Sequence, residues 1–335
     1  MTARQVRPEL GYEGTFDGDL DALRAVRHVE GFWPLSAPLL LRSDVWGTEL
    51  PVSLGDWTGI ILVPARERRS CGMLPPAFLR VGYGDAYWGS VWDDDGEHQF
   101  GSADIERLGF SFPAASGVQA LEIHASMVAA LPDWWDVLRR WLEIATHQDL
   151  GPPERGASSY AGGTLWLSTQ EVAIRRHNVA TVPGCVRTNA VGASVWAAAV
   201  RLANLGTVPD DAHDLLSQAR AASGRGQRRR AVIDAGSAAE QALRRATRCS
   251  GTLGLLNNEK AEGLGLSRDE LDIMLVQPRN AAMHEVKVPS ETEVHEAQRV
   301  AADTVAHLVP LPNEVCLALA IDGAALPGRP GRMVE

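Results

Sequence analysis

The chain has 335 residues, 45% of them apolar and 22% charged, with a net charge of −10, which is an ordinary composition for a soluble globular protein with room for two domains. No run approaches the roughly 18 consecutive apolar residues of a membrane span, and Met1-Thr2-Ala3-Arg4-Gln5 leads into no apolar signal region, so a cytoplasmic protein is expected. The four cysteines, Cys71, Cys185, Cys249 and Cys316, form no Cys-x-x-Cys pair, which excludes a zinc site of the usual spacing and argues against a disulfide framework.

Charge and tryptophan are unevenly placed. Residues 1–150 hold 12 arginines against 22 acids, whereas residues 211–310 hold 13 basic and 14 acidic residues. The acidic part repels nucleic acid at long range, so any such contact is expected in the C-terminal part. All ten tryptophans, from Trp33 to Trp196, precede residue 200. That shift, with Gly206-Thr207-Val208-Pro209 as a break, predicts a boundary between a region at 1–205 and a helical domain at 206–312, with a tail at 313–335.

In chain order, Gly59-Ile60-Ile61-Leu62-Val63 reads as a short buried strand, and Ala77 to Val81 as another. Tyr87 to Trp92 reads as a strand entering a turn at Asp95-Gly96, with His98 to Phe100 returning. Phe110-Ser111-Phe112 alternates as a strand does. Over Glu122 to His147 the period changes: Trp134, Leu138, Trp141 and Ala145 share one helical face, and Asp133 stands where an N-cap would. Gly151 to Gly163 reads as a loop, and Thr164 to Leu167 and Glu171 to Ile174 as strands. The fold class expected is therefore α+β: a mixed, tryptophan-rich N-terminal domain followed by an all-α bundle.

Four helices are predicted in the bundle. Asp210 or Asp211 caps the first, which stops at Gly224. The second starts near Gln227 and ends at Ser250-Gly251, with Val232, Ala235, Ala239, Ala242 and Ala246 inward and a Glu240–Arg244 pair on the wet side. Ser267-Arg268-Asp269-Glu270 and Ser290-Glu291-Thr292-Glu293 are capping-box sequences that open the third and fourth helices. Val294, Ala297, Ala301, Val305 and Leu308 form the inner face of the fourth. Short connections make the bundle antiparallel, and the chain from about 322, with Gly323, Pro327 and Pro330, reads as loose.

Several chemical motifs fail on inspection. Asp93-Asp94-Asp95-Gly96 would need carboxylates at Val91 and Ser102 to be a calcium loop. Neither lysine, Lys260 or Lys287, follows a glycine as a phosphate-binding loop requires. His295-Glu296 has Arg299 where the second histidine of a metalloprotease helix would stand. Gly89-Ser90 lies too close to Asp93 and Asp95 for a nucleotidyltransferase.

Pro278-Arg279-Asn280-Ala281-Ala282-Met283-His284-Glu285 remains. Histidine titrates near neutral pH and can move a proton. Arginine stays charged and offers a fixed fork to phosphoryl oxygens, and Asn280 shares a helical face with His284. Arg140 and His147 make a second Arg-to-His pair, but Trp141 follows that arginine. The first pair sits at the end of the third predicted helix, behind Arg229-Arg230-Ala231-Val232 and Ala238-Ala239-Glu240-Gln241-Ala242-Leu243, and behind Leu215-Leu216-Ser217-Gln218-Ala219-Arg220. Together these segments resemble the HEPN family over about 100 residues, from about 207 to 310.

The resemblance implies a four-helix HEPN-like bundle with Arg279, Asn280 and His284 as catalytic residues and Glu240 as support. It implies a metal-independent endoribonuclease acting on RNA with no cofactor. It further implies a homodimer in which two motifs face one another, in a toxin or antiviral-defence setting where the N-terminal domain senses a phage-derived or antitoxin trigger. The alternative within the same family is a non-catalytic bundle that dimerises or docks a protein or nucleotide partner. The cluster Arg225, Arg228, Arg229 and Arg230 is the candidate RNA-binding patch. Pro278 departs from the expected pattern, since proline inside a helix removes a hydrogen bond and kinks the chain.

Overall fold

The structure, a computed structural model, describes residues 4–5, 15–16, 20–66, 72–76, 88–92, 101–151, 164–168, 189–285 and 287–323. Two compact units are present: Met1–Asp136 with Leu150–Pro183 and Val200–Gly206, and Val137–Asp149 with Gly184–Ala199 and Thr207–Glu335. The expected readings at 77–81, 95–100, 152–163, 171–174 and 324–335 lie outside the described residues. Among the described residues, no helix is long and apolar enough to cross a membrane.

The first unit is built on an antiparallel sheet. Its strands are β1 (His28–Arg42), β2 (Glu49–Leu54), β3 (Trp57–Leu62), β4 (Gly89–Trp92), β5 (Ser102–Pro113) and β6 (Thr164–Ser168). The spatial order is β6–β1–β5–β3–β2, with β4 pairing the first half of β5. The expected strands overlap the observed ones at 59–62 in β3, 89–92 in β4, 110–112 in β5 and 164–167 in β6, while Tyr87 lies outside the described residues. The 15-residue β1 went unread because Pro34 and Pro38 break its pattern. The register shifts between Pro34 and Leu39, and a bulge is where a strand tolerates proline. Leu54 and Trp57 pair across a two-residue turn in which Gly55 takes φ +59°, as tight hairpins require.

A short helix, α1 (Leu20–Ala25), precedes β1, and a 30-residue helix, α2 (Gly117–Thr146), follows β5. Asp133 does not cap α2. The helix starts sixteen residues earlier and runs through Pro132, because Ile123, Met127, Leu131 and Trp134 form one continuous buried stripe. Trp134 meets Phe110 of the sheet edge-to-face at 5.8 Å, and Trp57 Nε1 donates to Ser126 Oγ at 3.0 Å. Asn204 locks this packing. Its Oδ1 accepts from the Ser53 N–H and from Trp134 Nε1, and its Nδ2 donates to Pro51 O.

The second unit is helical. Its elements are the first part of α3 (Ala193–Asn204), then α4 (Asp211–Gly224), α5 (Arg228–Thr247), α6 (Leu253–Lys260), α7 (Arg268–Leu271), α8 (Gln277–His284), α9 (Glu291–Leu308) and α10 (Asn313–Ile321). Asp210 caps α4 by accepting the Ala212 N–H, and Ser290 with Glu293 closes a full capping box on α9. Ser267 accepts the Glu270 N–H at the start of α7.

The central helix is α5, which packs against α4, α6, α8 and α9. Its inner face is made of small residues: Ala231, Val232, Ala235, Ala238, Ala239 and Ala242 are fully buried, while Ala246, expected inward, is exposed. Four plain helices are too simple a description of this unit. α6 inserts between the second and third predicted helices, the third is divided into α7 and α8, and residues 313–321, expected as tail, form α10.

Candidate active site

The motif helix α8 follows a turn of π-helix at Asp272–Val276, in which the Gln277 N–H reaches back five residues to Asp272 O. The wider turn explains how Pro278 is housed. Proline has no N–H and its ring collides with the carbonyl four residues back in an ordinary helix; a π turn relaxes that spacing. The helix therefore continues through the proline instead of breaking, and Arg279 to His284 stay on one rigid element.

Arg279 turns inward. Its side chain is only 15% exposed, and Nη2 lies 3.1 Å from Glu240 Oε2 on α5. Glu240 is itself buried, which corrects its expected place on the wet side. It holds three partners: Arg279, Arg244 Nη2 at 2.5 Å, and the Leu253 N–H at 3.0 Å. The last contact caps α6, whose N-cap residue Thr252 makes no side-chain cap bond. One turn before Glu240, Gly236 leaves room for the arginine stem; a Cβ there would stand 2.3 Å from Arg279 Cδ. Gly236 and Glu240 thus form a cradle, one giving space and the other charge.

The far end of α8 is held by Arg229. Its Nε donates to Ala282 O at 2.5 Å, and its Nη2 reaches toward Met283 O at 3.4 Å. A cation on the last carbonyls of a helix is favoured by the dipole as well as by the hydrogen bonds. His284, the last residue of α8, is exposed, as is Asn280 one turn before it. Residues 279 and 284 are about 140° apart around an ideal helix, and the contacts agree: the arginine faces α5 and the histidine faces solvent.

The other expected residues are dispersed. Arg225 pairs with Asp149 at 2.6 Å, Arg230 with Asp234 at 3.4 Å and Arg228 with Glu291 at 4.0 Å. Each of the four arginines of the candidate patch thus has an intramolecular contact. Beside the exposed face of α8 lies a groove of about 840 Å³, lined by Ile273, Met274, Pro278, Asn280 and Ala281, and by Glu285, Glu293 and Glu296. Sequence reasoning missed Gly236 and the clamp by Arg229. The Gly236-x-x-x-Glu240 spacing, which places both on one face of α5, was the signal available for the first. The chain matches no protein-family model, no curated protein and no solved structure.

Proposed function

We propose that the helical unit is a HEPN-like endoribonuclease that cleaves RNA by acid–base chemistry without a metal. One observation carries the reading: α8 is fixed at both ends of its motif, by Glu240 on Arg279 and by Arg229 on Ala282 and Met283, while His284 is left exposed with Asn280 on its face. A proton-transfer group needs such a platform, because catalysis depends on holding it within hydrogen-bond reach of its substrate. RNA supplies a 2′-hydroxyl beside each phosphate. His284 would take its proton or protonate the leaving 5′-oxygen, and Asn280 would orient the phosphate. With Arg279 turned inward, one chain offers half a site, and the other half comes from the motif of a second copy.

The test is RNA cleavage by the full chain in EDTA, scored for 2′,3′-cyclic phosphate ends, with wild type against His284→Ala. His284 is exposed, so its removal leaves the fold intact. A loss of about 10²–10⁴-fold in rate is expected for a general acid or base. Unchanged cleavage by His284→Ala, or no cleavage by wild type, would reject the reading. The second reading, a docking module without activity, is favoured by the exposed Ile273 and Met283 and by the acidic rim of the groove, which suits a protein partner better than RNA.

A further inference from the structure

The groove beside the motif helix lies within the helical unit and has two unlike walls. One wall is the π turn and α8. Met274, Pro278, Ala281 and Glu285 all line the groove and follow one another at steps of four, three and four residues. They form a strip along about three turns of helix, or roughly 16 Å. Ile273 adds to this strip a large apolar side chain that is 55% exposed. The other wall is the start of α9, where Glu293 and Glu296 stand one turn apart and the capping box of Ser290 and Glu293 fixes the backbone.

The charges of the groove are of one sign. Among the described residues that line it, Glu285, Glu293 and Glu296 are carboxylates and Lys287 alone is a cation. Lys287 is engaged by Glu293, with Nζ 2.8 Å from Oε1. Glu296 meets Arg299 at 3.0 Å, but Arg299 also pairs with Glu270 and Asp303, so three acids divide one positive charge. Such a rim repels a phosphate backbone and draws in cationic side chains. The groove therefore joins an apolar strip to a surplus of negative charge.

We propose that this groove binds a basic amphipathic helix of a protein partner. The partner lays an apolar stripe on Ile273, Met274, Pro278 and Ala281 and turns lysine or arginine side chains toward Glu285, Glu293 and Glu296. The shape selects a helix, because a strip of about three turns matches the i, i+3, i+4 and i+7 anchors of a helix laid in a groove. The charge selects a basic one. A small organic cation would meet the carboxylates and leave most of the strip in water. The bound helix covers Asn280, which lines the same groove, and ends one turn from His284. Exclusion of RNA by the partner rests on the nuclease reading; the binding itself does not.

The test titrates the full chain with a labelled synthetic peptide of about 14 residues, roughly four helical turns, with leucine at i, i+3, i+4 and i+7 and lysine elsewhere. Fluorescence anisotropy reads the binding, and amide hydrogen exchange locates it. One control peptide scatters the same leucines over all faces, and another carries glutamate in place of lysine. Saturable binding of the first peptide alone is expected, weakening with added salt and protecting residues 272–296. Ile273→Ser and Glu285→Lys change exposed side chains, so both should fold, and each should lower the affinity by at least about tenfold. His284→Ala should bind as wild type does, which keeps a failed cleavage assay apart from a failed binding assay. No saturable binding, equal binding of a control peptide, affinity unchanged in both groove variants, or protection outside the groove would overturn the proposal. Protection of the first turns of α9 by a single-stranded RNA in place of the peptide would give the groove to nucleic acid and overturn it as well.

Discussion

A buried carboxylate is tolerated only where hydrogen bonds or opposite charges fill its lone pairs, and Glu240 meets that condition with two guanidinium groups and the first N–H of α6. Glu240→Gln keeps the shape and removes the charge, so the half-buried Arg279 loses its counterion. A loss of about 2–4 kcal/mol is expected in urea unfolding, with helix α6 fraying first in hydrogen exchange; a loss below about 0.5 kcal/mol would mean that the three contacts are incidental. Gly236 gives a sharper test. In an exposed helix, Gly→Ala stabilises by about 1 kcal/mol. Here the added methyl meets Arg279 Cδ at 2.3 Å. Gly236→Ala should therefore destabilise by about 1–3 kcal/mol, and in an Arg279→Ala background the same change should be neutral or favourable. Equal effects in the two backgrounds would show that the glycine does not cradle the arginine.

Elements were legible where their ends are built locally. α4, α5 and α9 carry periodic apolar faces, and α4 and α9 carry caps from adjacent residues, Asp210 and Ser290. The elements that escaped notice have ends built from afar. α6 holds a glycine and two asparagines, poor helix formers, and its first N–H is met by Glu240, thirteen residues upstream. The start of α3 is met by Asp322, which accepts from the Ser194 and Val195 N–H groups at 3.3 and 2.9 Å. No local pattern announces a cap more than a hundred residues away. Within the candidate site, the Arg279–Glu240 pairing was approachable from helical spacing, but its depth was not, since burial depends on which faces of α5 the other helices cover. The π turn before Pro278 makes its own prediction. A mid-helix proline costs about 3 kcal/mol. If the wide turn has already removed the collision, Pro278→Ala changes stability by less than about 1 kcal/mol. A gain near the full 3 kcal/mol would show that the collision persists in the folded protein.

At the scale of the whole chain, a tryptophan boundary near 200–210 does not register that α3 already begins at Ala193, or that Val137–Asp149 and Gly184–Ala199 belong with the later residues. Composition averages over a segment and cannot register a chain that passes between units more than once. One property of the molecule follows from His147 in the first of those segments and from His213 on α4. His147 is held down to about 3, and His213 is lowered as well, both chiefly by burial. The unfolded chain binds protons on these rings below about 6.5, whereas the folded chain resists doing so. Stability from His147 is thus full above about pH 6.5 and declines as the pH falls toward 3, and the lowered His213 acts in the same direction. His147 contributes a slope of up to about 1.4 kcal/mol per pH unit in that window. Urea midpoints taken at pH 7.5, 6, 5 and 4 in a phosphate-free buffer check the sign. His147→Gln should flatten the decline, because glutamine takes no proton in either state, while leaving the contribution of the acids unchanged. A His147→Gln protein whose midpoint falls as steeply as wild type would place the acid sensitivity elsewhere and remove the buried histidine from the account.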